Sequence, residues 1–348
     1  MKKEEVFRLI DRLERDHSLQ EQEYMALLDN QETGAPYAAP KARAAADRIY
    51  GHDIYVRGLI EFSNYCSNDC YYCGIRAGNR SCVRYRLTPE QILNCCGLGW
   101  QLGYRTFVLQ SGEDAWFTDE RLCALIQEIK RRWPDCALTL SIGEKSRESY
   151  AACRQAGADR YLIRHETASP AHYARQHPAR QTLQARLRCI RDLRELGYAV
   201  GIGMMVGSPW QTTKDLAMDL KLIEDFQPEM CGIGPFLPHH QTPFAGFPRG
   251  STEQTLYLLS LIRLICPHVL LPATTALGTA DPFGREKGVL AGANVIMPNL
   301  SPVGVRRQYE LYDGKICTGE ESAQCRGCQE ERMRSIGYRV VTDRGDPR

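Results

Sequence analysis

Three cysteines near residue 70 have the spacing of ligands to a single metal centre. They are Cys66, Cys70 and Cys73, in the pattern Cys-x3-Cys-x2-Cys. Three thiolates on one short loop can close around one cofactor. A structural zinc ion would need a fourth protein ligand, for which Cys82 or His52 are the candidates. An iron–sulfur cubane held by three cysteines would instead leave one iron open to another ligand.

The same segment resembles the cysteine motif of the radical S-adenosylmethionine (SAM) enzymes, in which an aromatic residue, here Tyr72, precedes the last cysteine. The resemblance implies a [4Fe–4S] cluster whose open iron is chelated by the amino and carboxylate groups of SAM. Reductive cleavage of the sulfonium then gives methionine and a 5′-deoxyadenosyl radical. The protein is expected to supply orientation and exclusion of water.

Further segments resemble one branch of this superfamily, the HydE family of [FeFe]-hydrogenase maturases, from about Arg57 to Cys328. The resemblance implies a cytoplasmic, anaerobic enzyme acting on a small iron precursor that carries CO, cyanide and cysteine. It also implies two partner maturases, a tyrosine-cleaving radical SAM enzyme and a GTPase scaffold. Methylornithine synthase and a non-enzymatic iron–sulfur scaffold are the alternatives. The segments are IEFSNYC (60–66), LQSGED (109–114), RHETA (164–168), GIGPFLPH (232–239), PATTALGT (272–279), ANVIMPNLSP (293–302) and LYDGKIC (311–317).

A second cysteine triplet lies near the C-terminus, as Cys317-x7-Cys325-x2-Cys328. It resembles the additional iron–sulfur site of the HydE family and favours the maturase over methylornithine synthase. Three thiols without a nearby histidine could hold a [2Fe–2S] cluster, a [4Fe–4S] cluster or zinc. The structural alternatives are a zinc ion that stabilises the C-terminal segment and thiols that bind no metal. We expect a cluster at this second site to be accessory to catalysis.

The resemblance assigns SAM-binding roles residue by residue, and no catalytic side chain beyond the cluster and SAM. Arg164 and Arg186 are expected to bind the SAM carboxylate, since a guanidinium fork matches a carboxylate; a surface-helix role is the alternative for Arg186. Glu166 is expected to face the ribose or the amine. The expected cofactor contacts are Tyr72, Gln110, Ser111, Gly112, Arg164, Glu166, Arg186, Met205 and Tyr309.

The substrate pocket is expected at the ends of the last predicted strands, where the side chains are neutral. Two hydroxyl groups there could donate hydrogen bonds to an oxyanion or a cyanide nitrogen. A neutral pocket suits a compact metal–diatomic anion better than a chain bearing two ammonium groups, whose unpaired burial would be costly. The expected pocket residues are Thr274, Thr275, Ala276, Met230 and Met297.

Two other motifs contain residue types that could form ligand sites. Gly201-x-Gly203 ends a predicted strand and lacks the third glycine of a dinucleotide-binding fingerprint, so we interpret it as a close approach of that strand to adenosine. His239-His240 could suggest a metal site. Adjacent side chains diverge in an extended segment, however, so a loop role is the prediction.

The positions of these residues make sense in a (β/α)8 barrel, whose chemistry gathers at the C-terminal strand ends. Eight apolar runs with intervening helices predict this fold, and a doubly wound open sheet is the alternative. The predicted helix caps are Thr88, Thr118, Thr212 and Ser251. The predicted divisions are a helical extension (1–50), the barrel (51–305) and a C-terminal segment with the second cysteines (306–348). The predicted strands are Val56–Phe62, Thr106–Gln110, Ala137–Ile142, Arg160–Arg164, Ala199–Val206, Met230–Ile233, Val269–Ala273 and Asn294–Met297.

Composition excludes several other classes of protein. The 348 residues carry 44 Lys and Arg against 42 Asp and Glu, a balance that argues against a nucleic-acid-coating protein. No apolar run approaches the roughly 20 residues of a membrane helix, and the charged N-terminus does not resemble a signal peptide. Fifteen cysteines, an odd number without an export signal, argue against a disulfide framework. We therefore expect a soluble cytoplasmic protein with no nucleic-acid or membrane partner.

Overall fold

The computed structural model describes residues 1–319 and 326–348, and its elements alternate helix and strand through the central part of the chain. The helices are α1 (Lys3–Asp16), α2 (Glu21–Asp29), α3 (Gln31–Tyr50), α4 (Pro89–Gln101), α5 (Asp119–Arg132), α6 (Arg147–Ala156), α7 (Pro170–Gln176), α8 (Leu183–Glu195), α9 (Thr213–Phe226), α10 (Thr252–Ile265), α11 (Thr275–Ala280), α12 (Gly284–Leu290), α13 (Val303–Arg306) and α14 (Arg326–Ser335). The strands are β1 (Asp53–Val56), β2 (Gly58–Ser63), β3 (Thr106–Ser111), β4 (Ala137–Ser141), β5 (Arg160–Leu162), β6 (Ala199–Ile202), β7 (Met205–Val206), β8 (Met230–Cys231), β9 (Gly234–Pro235), β10 (Val295–Ile296) and β11 (Arg339–Val341). Among the described helices, none combines the length and apolar character that crossing a bilayer requires.

The strands form a closed, parallel ring. Six of them lie in the order β2-β3-β4-β5-β6-β8. Single parallel bridges carry the ring onward, from Met230 to Leu270, from Pro272 to Val295 and from Asn299 back to Leu59 on β2. The predicted (β/α)8 barrel is therefore confirmed, and the C-terminal ends of its strands face one side, as parallel pairing requires.

Local sequence signals set the outer helices. Thr88 accepts a hydrogen bond from the Gln91 N–H at the start of α4, and the Gln91 side chain accepts one from the Thr88 N–H. Thr118, Thr212 and Ser251 likewise accept from backbone N–H groups at the starts of α5, α9 and α10. These predicted caps satisfy donors that the first turn leaves without a partner.

The first 50 residues form three helices that pack on the barrel. Helix α3 lies against α10, and α2 lies against α9. Tyr24 donates to Glu224 at 2.6 Å, and the Arg43 guanidinium donates to the carbonyls of Val289 and Ala293 at 2.8 Å. The helical extension covers outer helices of the barrel and leaves the C-terminal strand ends open.

The C-terminal segment is joined to the barrel at both of its ends. Strand β11 pairs in parallel with β1. The buried Arg160 donates to the Asp346 carboxylate at 2.7 Å. Near the other end of the segment, Lys315 pairs with the buried Glu61 on β2 at 2.5 Å. The β1 pairing and the Arg160 contact place β11 and the tail at the N-terminal side of the ring, opposite the strand ends where the site is expected.

Three strand predictions need correction. The run Val56–Phe62 spans the end of β1 and most of β2, which lie in different sheets. The run Ala199–Val206 is two strands, β6 and β7, because the chain bends at Gly203. The run Val269–Ala273 is not a regular strand and contributes only the bridges at Leu270 and Pro272. Proline at position 272 cannot donate to a ladder, so a continuous strand cannot form there.

The Gly201-x-Gly203 motif serves packing between strands rather than the approach of a strand to adenosine. A Cβ atom at Gly203 would collide with the carbonyl oxygen of Gly232, and one at Gly201 would lie 2.6 Å from Leu162 Cδ1. Because a neighbouring backbone cannot move aside as a flexible side chain can, glycine is required at 203 by the barrel wall itself.

Replacing Gly203 with alanine should therefore destabilise the fold, at a cost of about 1–3 kcal/mol or more from overpacking. Gly246→Ala is the matched control, because no atom lies within 4 Å of a Cβ placed there. Urea unfolding of both cofactor-free variants measures the difference. Equal midpoints for the two variants would contradict this account of the motif.

Candidate active site

The three predicted cysteine ligands lie on an irregular loop that follows β2 directly. Cys66, Cys70 and Cys73 are all half-buried. The Glu113 backbone N–H donates to Cys66 Sγ at 3.4 Å, and the Gln181 amide donates to Cys70 Sγ at 3.6 Å. The thiols thus sit at the C-terminal end of the first strand of the ring, the side on which a barrel performs its chemistry.

One arginine makes four of the hydrogen bonds that hold this loop, hereafter the cysteine loop (residues 64–86). The Arg84 guanidinium donates to four backbone carbonyls, those of Asn64 at 2.5 Å, Ile75 at 2.8 Å, Arg76 at 2.7 Å and Asn79 at 3.2 Å. Because the loop makes almost no backbone ladder, these bonds replace the hydrogen bonds that a helix or strand would provide. Arg84 therefore fixes the path on which the cysteines are carried.

The thiols of Cys66, Cys70 and Cys73 suit a cluster whose iron ions compensate the negative charge of the thiolates. Burial raises the pKa of Cys70 to about 11 and also raises the pKa values of Cys66 and Cys73. Without metal the three groups are therefore neutral thiols at pH 7. Iron would compensate their deprotonation, as metals do for thiolate ligands. The donor set of three sulfurs on one loop fits a [4Fe–4S] cluster.

A cavity of about 280 Å³ opens next to Cys73 and runs along the strand ends. Gly112 is the one expected cofactor residue that does not line it. A Cβ at Gly112 would lie 2.7 Å from Cys66 Cβ, so this glycine lets the cysteine loop, rather than a ligand, approach the backbone. The other eight expected cofactor residues line the cavity: Tyr72, Gln110, Ser111, Arg164, Glu166, Arg186, Met205 and Tyr309.

Two charged groups of opposite sign lie together in this cavity. Arg164 Nη2 and Glu166 Oε2 form an ion pair at 2.9 Å, and both side chains line the wall. Arg164 Nε is buried without a hydrogen-bond partner among the residues that the structure describes. Glu166 has a φ of 63°, a strained left-handed conformation for a residue with a side chain. An unsatisfied donor and a strained acid fit a cavity built for a zwitterionic ligand such as SAM.

His165, between Arg164 and Glu166, points away from the cavity and anchors residues 164–168. The Gly203 N–H donates to His165 Nδ1 at 3.3 Å, so the ring proton is on Nε2, which donates to Asp219 Oδ1 at 3.2 Å. The Asp219 oxygen also accepts from the Ala168 N–H at 2.5 Å. Both His165 and Asp219 are fully buried. This pair holds residues 164–168 against α9 and thereby compensates the strain at residue 166.

Arg186, from α8, is a buried cavity residue and not part of a surface helix face. Its Nε donates to the Glu144 carboxylate at 2.6 Å, and its Nη1 donates to the Arg164 carbonyl at 2.7 Å. The Glu144 N–H in turn donates to Glu113, whose own pKa is raised by burial. The chain of contacts connects α8 to the strand ends and aims the guanidinium along the cavity wall.

Tyr72 is fixed by a histidine that stays neutral. His177 Nδ1 lies 3.0 Å from the Tyr173 carbonyl, which requires a proton on Nδ1 and leaves Nε2 to accept from the Tyr72 hydroxyl at 3.2 Å. Burial lowers the pKa of His177 to about 4. The tyrosine between Cys70 and Cys73 is therefore held by an acceptor that does not titrate near neutrality.

The expected substrate residues do not all face this cavity. Ala276 lines it. The Thr274 hydroxyl oxygen caps α11 by accepting from the Leu277 N–H at 3.3 Å, which leaves its own proton free to donate. Thr275 is half-buried beside it. Met230 is buried, and Met297 packs against the same small apolar cluster, which contains Tyr55 and Val295. The methionines thus contact apolar core side chains.

The C-terminal cysteines are only partly within the described chain. Cys317 and Cys328 line a second cavity of about 480 Å³, where Arg285 donates to Cys317 Sγ at 3.0 Å. Cys325 lies outside the described residues.

The two adjacent histidines do not diverge as the sequence predicted. The rings of His239 and His240 stack with their centres 4.7 Å apart, and Asp313 lies beside them, 2.7 Å from His240 Nδ1. The Gln241 N–H donates to His239 Nδ1, which places the ring proton on Nε2. His239 is therefore protonated at the nitrogen that faces the acids, which argues for a hydrogen-bonded loop and against a metal ligand.

Sequence reasoning missed four residues that shape the site: Arg84, Gln181, His177 and Asp219. Each acts through a contact with a distant part of the chain or with loop carbonyls that no local pattern reveals. Arg84 is one of four arginines in the cysteine loop, and neither its spacing nor that of Gln181 predicts a role.

Protonation of His177 should cost stability at acidic pH. The unfolded chain binds this proton near pH 6.5, whereas the folded chain binds it only near pH 4, so stability falls as the pH falls through that window. The difference amounts to on the order of 3 kcal/mol. His177→Gln keeps an acceptor for Tyr72 and removes the titration. Urea unfolding between pH 7 and 4 should show a shallower loss for this variant, and parallel curves would contradict the assignment.

Comparison with known proteins agrees with this geometry. Residues 60–223 match the model of the radical SAM superfamily. The chain is 43% identical over 298 residues to the [FeFe] hydrogenase maturase subunit HydE of Thermotoga maritima, covering 86% of this chain and 85% of that protein. It is 29% identical to 3-methylornithine synthase of Methanosarcina barkeri, over 78% of this chain and 77% of that protein. The crystal structure of methylornithine synthase (PylB) shares the fold, with a TM-score of 0.81, 24% identity and coverage of 96% of this chain and 97% of that one. The protein is a radical SAM enzyme, and it belongs to the HydE family of [FeFe]-hydrogenase maturases.

Proposed function

We propose that this enzyme cleaves SAM reductively and directs the resulting 5′-deoxyadenosyl radical at a small iron precursor that carries CO, cyanide and cysteine. The product would be an iron carbonyl–cyanide unit for the di-iron subcluster of [FeFe]-hydrogenase. One observation carries this proposal, the single cavity that joins Cys73 to Arg164, Glu166 and Arg186. A [4Fe–4S] cluster bound by the three cysteines would supply the electron for cleavage.

The cavity residues have separable roles in this proposal. Arg164 and Arg186 bind the SAM carboxylate, because both guanidinium groups line the wall beyond Cys73. Glu166 accepts from the ribose hydroxyls or the amine. Tyr72 and Met205 close the apolar side and exclude water, which would otherwise quench a reactive radical. The strain at residue 166 is an expected feature of a preorganised ligand contact.

The proposed precursor enters beyond the adenosyl carbon, on the side of Ala276. The Thr274 hydroxyl proton is available to an anion there, and Thr275 follows it. A tyrosine-cleaving radical SAM maturase would deliver the precursor, and a GTPase scaffold would receive the product. We propose that these steps occur in the cytoplasm, where the cysteine ligands stay reduced.

The alternative, an amino-acid mutase like methylornithine synthase, has less support. A lysine substrate brings two ammonium groups and one carboxylate, so it needs acidic partners. Among the described cavity residues the only acid is Glu166, and Arg164 is already paired with it. Identity to the HydE protein is also higher than to the mutase, 43% against 29%.

The C-terminal cysteines are proposed as an accessory iron–sulfur site of the [2Fe–2S] or [4Fe–4S] type. Cys317 and Cys328 line one cavity, and the Arg285 guanidinium donates a hydrogen bond to Cys317 Sγ. This cavity is lined by a different set of residues from the first one, which supports a role separate from radical generation.

Removing the charge of Arg164 or Glu166 should weaken SAM binding without loss of iron. Arg164→Gln and Glu166→Gln each lose a charge-assisted hydrogen bond worth about 1.5–3 kcal/mol, which is about tenfold to a hundredfold in affinity. Equilibrium dialysis with SAM and iron counting after anaerobic reconstitution measure both quantities. Arg131→Gln, on the exposed side of α5, is the control. Unchanged affinity in both cavity variants would refute the assigned roles.

The activity itself separates the two candidate functions. With its partner maturases, the reconstituted protein should restore activity to an apo [FeFe]-hydrogenase and should form no 3-methylornithine from lysine. A variant with Cys66, Cys70 and Cys73 all changed to alanine should produce no 5′-deoxyadenosine and activate nothing. Methylornithine formed without hydrogenase activation would reverse the assignment, and hydrogenase activation by the triple variant would indicate a scaffold.

A further inference from the structure

A strongly basic segment lies beside the cysteine loop and is only partly used by the site described above. Residues 167–191 contain five arginines and no aspartate or glutamate, although the net charge of the whole chain is only +2. One of the five, Arg186, is buried in the cavity and paired with Glu144. The other four are exposed: Arg175, Arg180, Arg188 and Arg191.

These four guanidinium groups have no ion-pair partner within the described parts of the chain. Arg180 donates to the carbonyl of Ser67, next to Cys66, at 2.7 Å. The guanidinium of Arg175 lies 5.8 Å from the centre of the Trp210 ring. Surface arginines elsewhere, such as Arg147, are paired with carboxylates. The segment therefore presents uncompensated positive charge, whose attraction for an acidic partner extends over about 8–10 Å at moderate salt.

Trp210 adds an aromatic anchor to the same surface. The residue is 49% exposed. Its ring makes edge-to-face contacts with Phe244 and Phe247, with ring centres 5.7 Å and 4.8 Å apart. Its φ of 64° is a strained conformation that a glycine would adopt at no cost. Tryptophan and arginine are the residue types that contribute most to binding energy in protein interfaces. A strained, exposed tryptophan beside arginines is typical of a contact surface.

The surface touches the cysteine loop without an intervening layer. The Tyr71 N–H donates to the carbonyl of Gln176, the last residue of α7, at 2.9 Å. The Tyr71 ring also contacts Phe244, with the ring centres 6.2 Å apart. Gln181, between Arg180 and α8, donates to Cys70 Sγ. An electron arriving at this surface would have a short path to the cysteine ligands.

An apolar depression completes the surface. A cavity of about 550 Å³ opens between α7 and α8 and is lined by Tyr173, Leu183 and Leu187, with Arg191 at its edge. Apolar area surrounded by charge is the usual anatomy of a docking site, in which the charge steers encounter and the apolar centre supplies affinity.

We propose that the arginine–tryptophan surface, formed by Arg175, Arg180, Arg188, Arg191 and Trp210, docks a small acidic electron-carrier protein. This inference rests on the proposed function, because each reductive cleavage of SAM consumes one electron. The carrier is oxidised by one electron, and the sulfonium accepts it as the carbon–sulfur bond breaks to give methionine and the 5′-deoxyadenosyl radical. Charge complementarity selects an acidic partner, and contact with the cysteine loop selects an electron donor among acidic partners.

Charge reversal tests the proposal with two electron sources. The variant carries Arg175→Glu, Arg188→Glu and Arg191→Glu, none of which lines the proposed SAM cavity beside Cys73. With reduced flavodoxin, a small acidic flavoprotein, 5′-deoxyadenosine formation at low ionic strength should fall at least tenfold. With photoreduced 5-deazariboflavin, an uncharged small donor, the rate should stay within twofold of wild type. Trp210→Ala, which leaves the charge unchanged, should show the same selective loss.

A binding measurement separates this inference from the function on which it rests. Isothermal titration calorimetry with oxidised flavodoxin measures binding without turnover. The affinity of flavodoxin for the wild type should fall as the salt concentration rises. The charge-reversal variant should bind flavodoxin at least tenfold more weakly than the wild type. The matched control reverses three exposed arginines elsewhere, Arg8, Arg307 and Arg334, and should bind normally. No 5′-deoxyadenosine from the wild type with either donor would count against the proposed function, while the binding result would still decide the docking surface.

Three results would overturn the docking surface. The first is an equal loss of rate with flavodoxin and deazariboflavin, which would assign these residues to the fold or the SAM site. The second is equal weakening of flavodoxin binding by the control triple. The third is tighter binding of polyuridylic acid than of flavodoxin, lost in the same variant, which would assign the surface to nucleic acid.

Discussion

The Arg84 guanidinium makes the interaction on which the site depends. The cysteine loop has neither a helix nor a strand through which its backbone could be satisfied, so four of its carbonyls accept from this one side chain. A planar group with five donors in a fixed fork suits this task, and lysine could not make the same set of bonds. Because the loop is fixed in this way, three thiols whose pKa values are raised by burial are presented together to a cluster.

The barrel then brings the SAM-binding groups to the same place. The ends of β3 and β5 and the start of α8 supply Gln110, Arg164 and Arg186, and parallel pairing directs all of these ends to one side. The fully buried pair of His165 and Asp219 holds the strained segment that follows β5. Rigid strands and buried hydrogen bonds thus set the cavity, which limits the reorganisation needed when a ligand binds.

Charge is distributed unevenly over the molecule, and its placement fits the chemistry. The cavity contains two arginines and one acid, a balance that matches a zwitterionic cofactor and leaves little acidic capacity for a diamine substrate. Outside the cavity, the acid-free segment 167–191 concentrates positive charge beside the cysteine loop. A nearly neutral chain can therefore have a local field that distinguishes one face from the others.

Local spacing and periodicity are enough to predict the cysteine motif, the helix caps at Thr88 and Thr118 and the barrel. The sequence also indicated ten of the cavity-lining residues, eight of them as expected SAM contacts. The roles of Arg84, Gln181 and Asp219 follow only from the folded chain, since their partners are loop carbonyls or residues far away in the sequence. Only the folded chain likewise shows that Gly203 serves a neighbouring strand and that 269–273 is not a regular strand. Close packing between distant segments leaves no periodic trace in either segment alone, so such contacts are not readable from sequence.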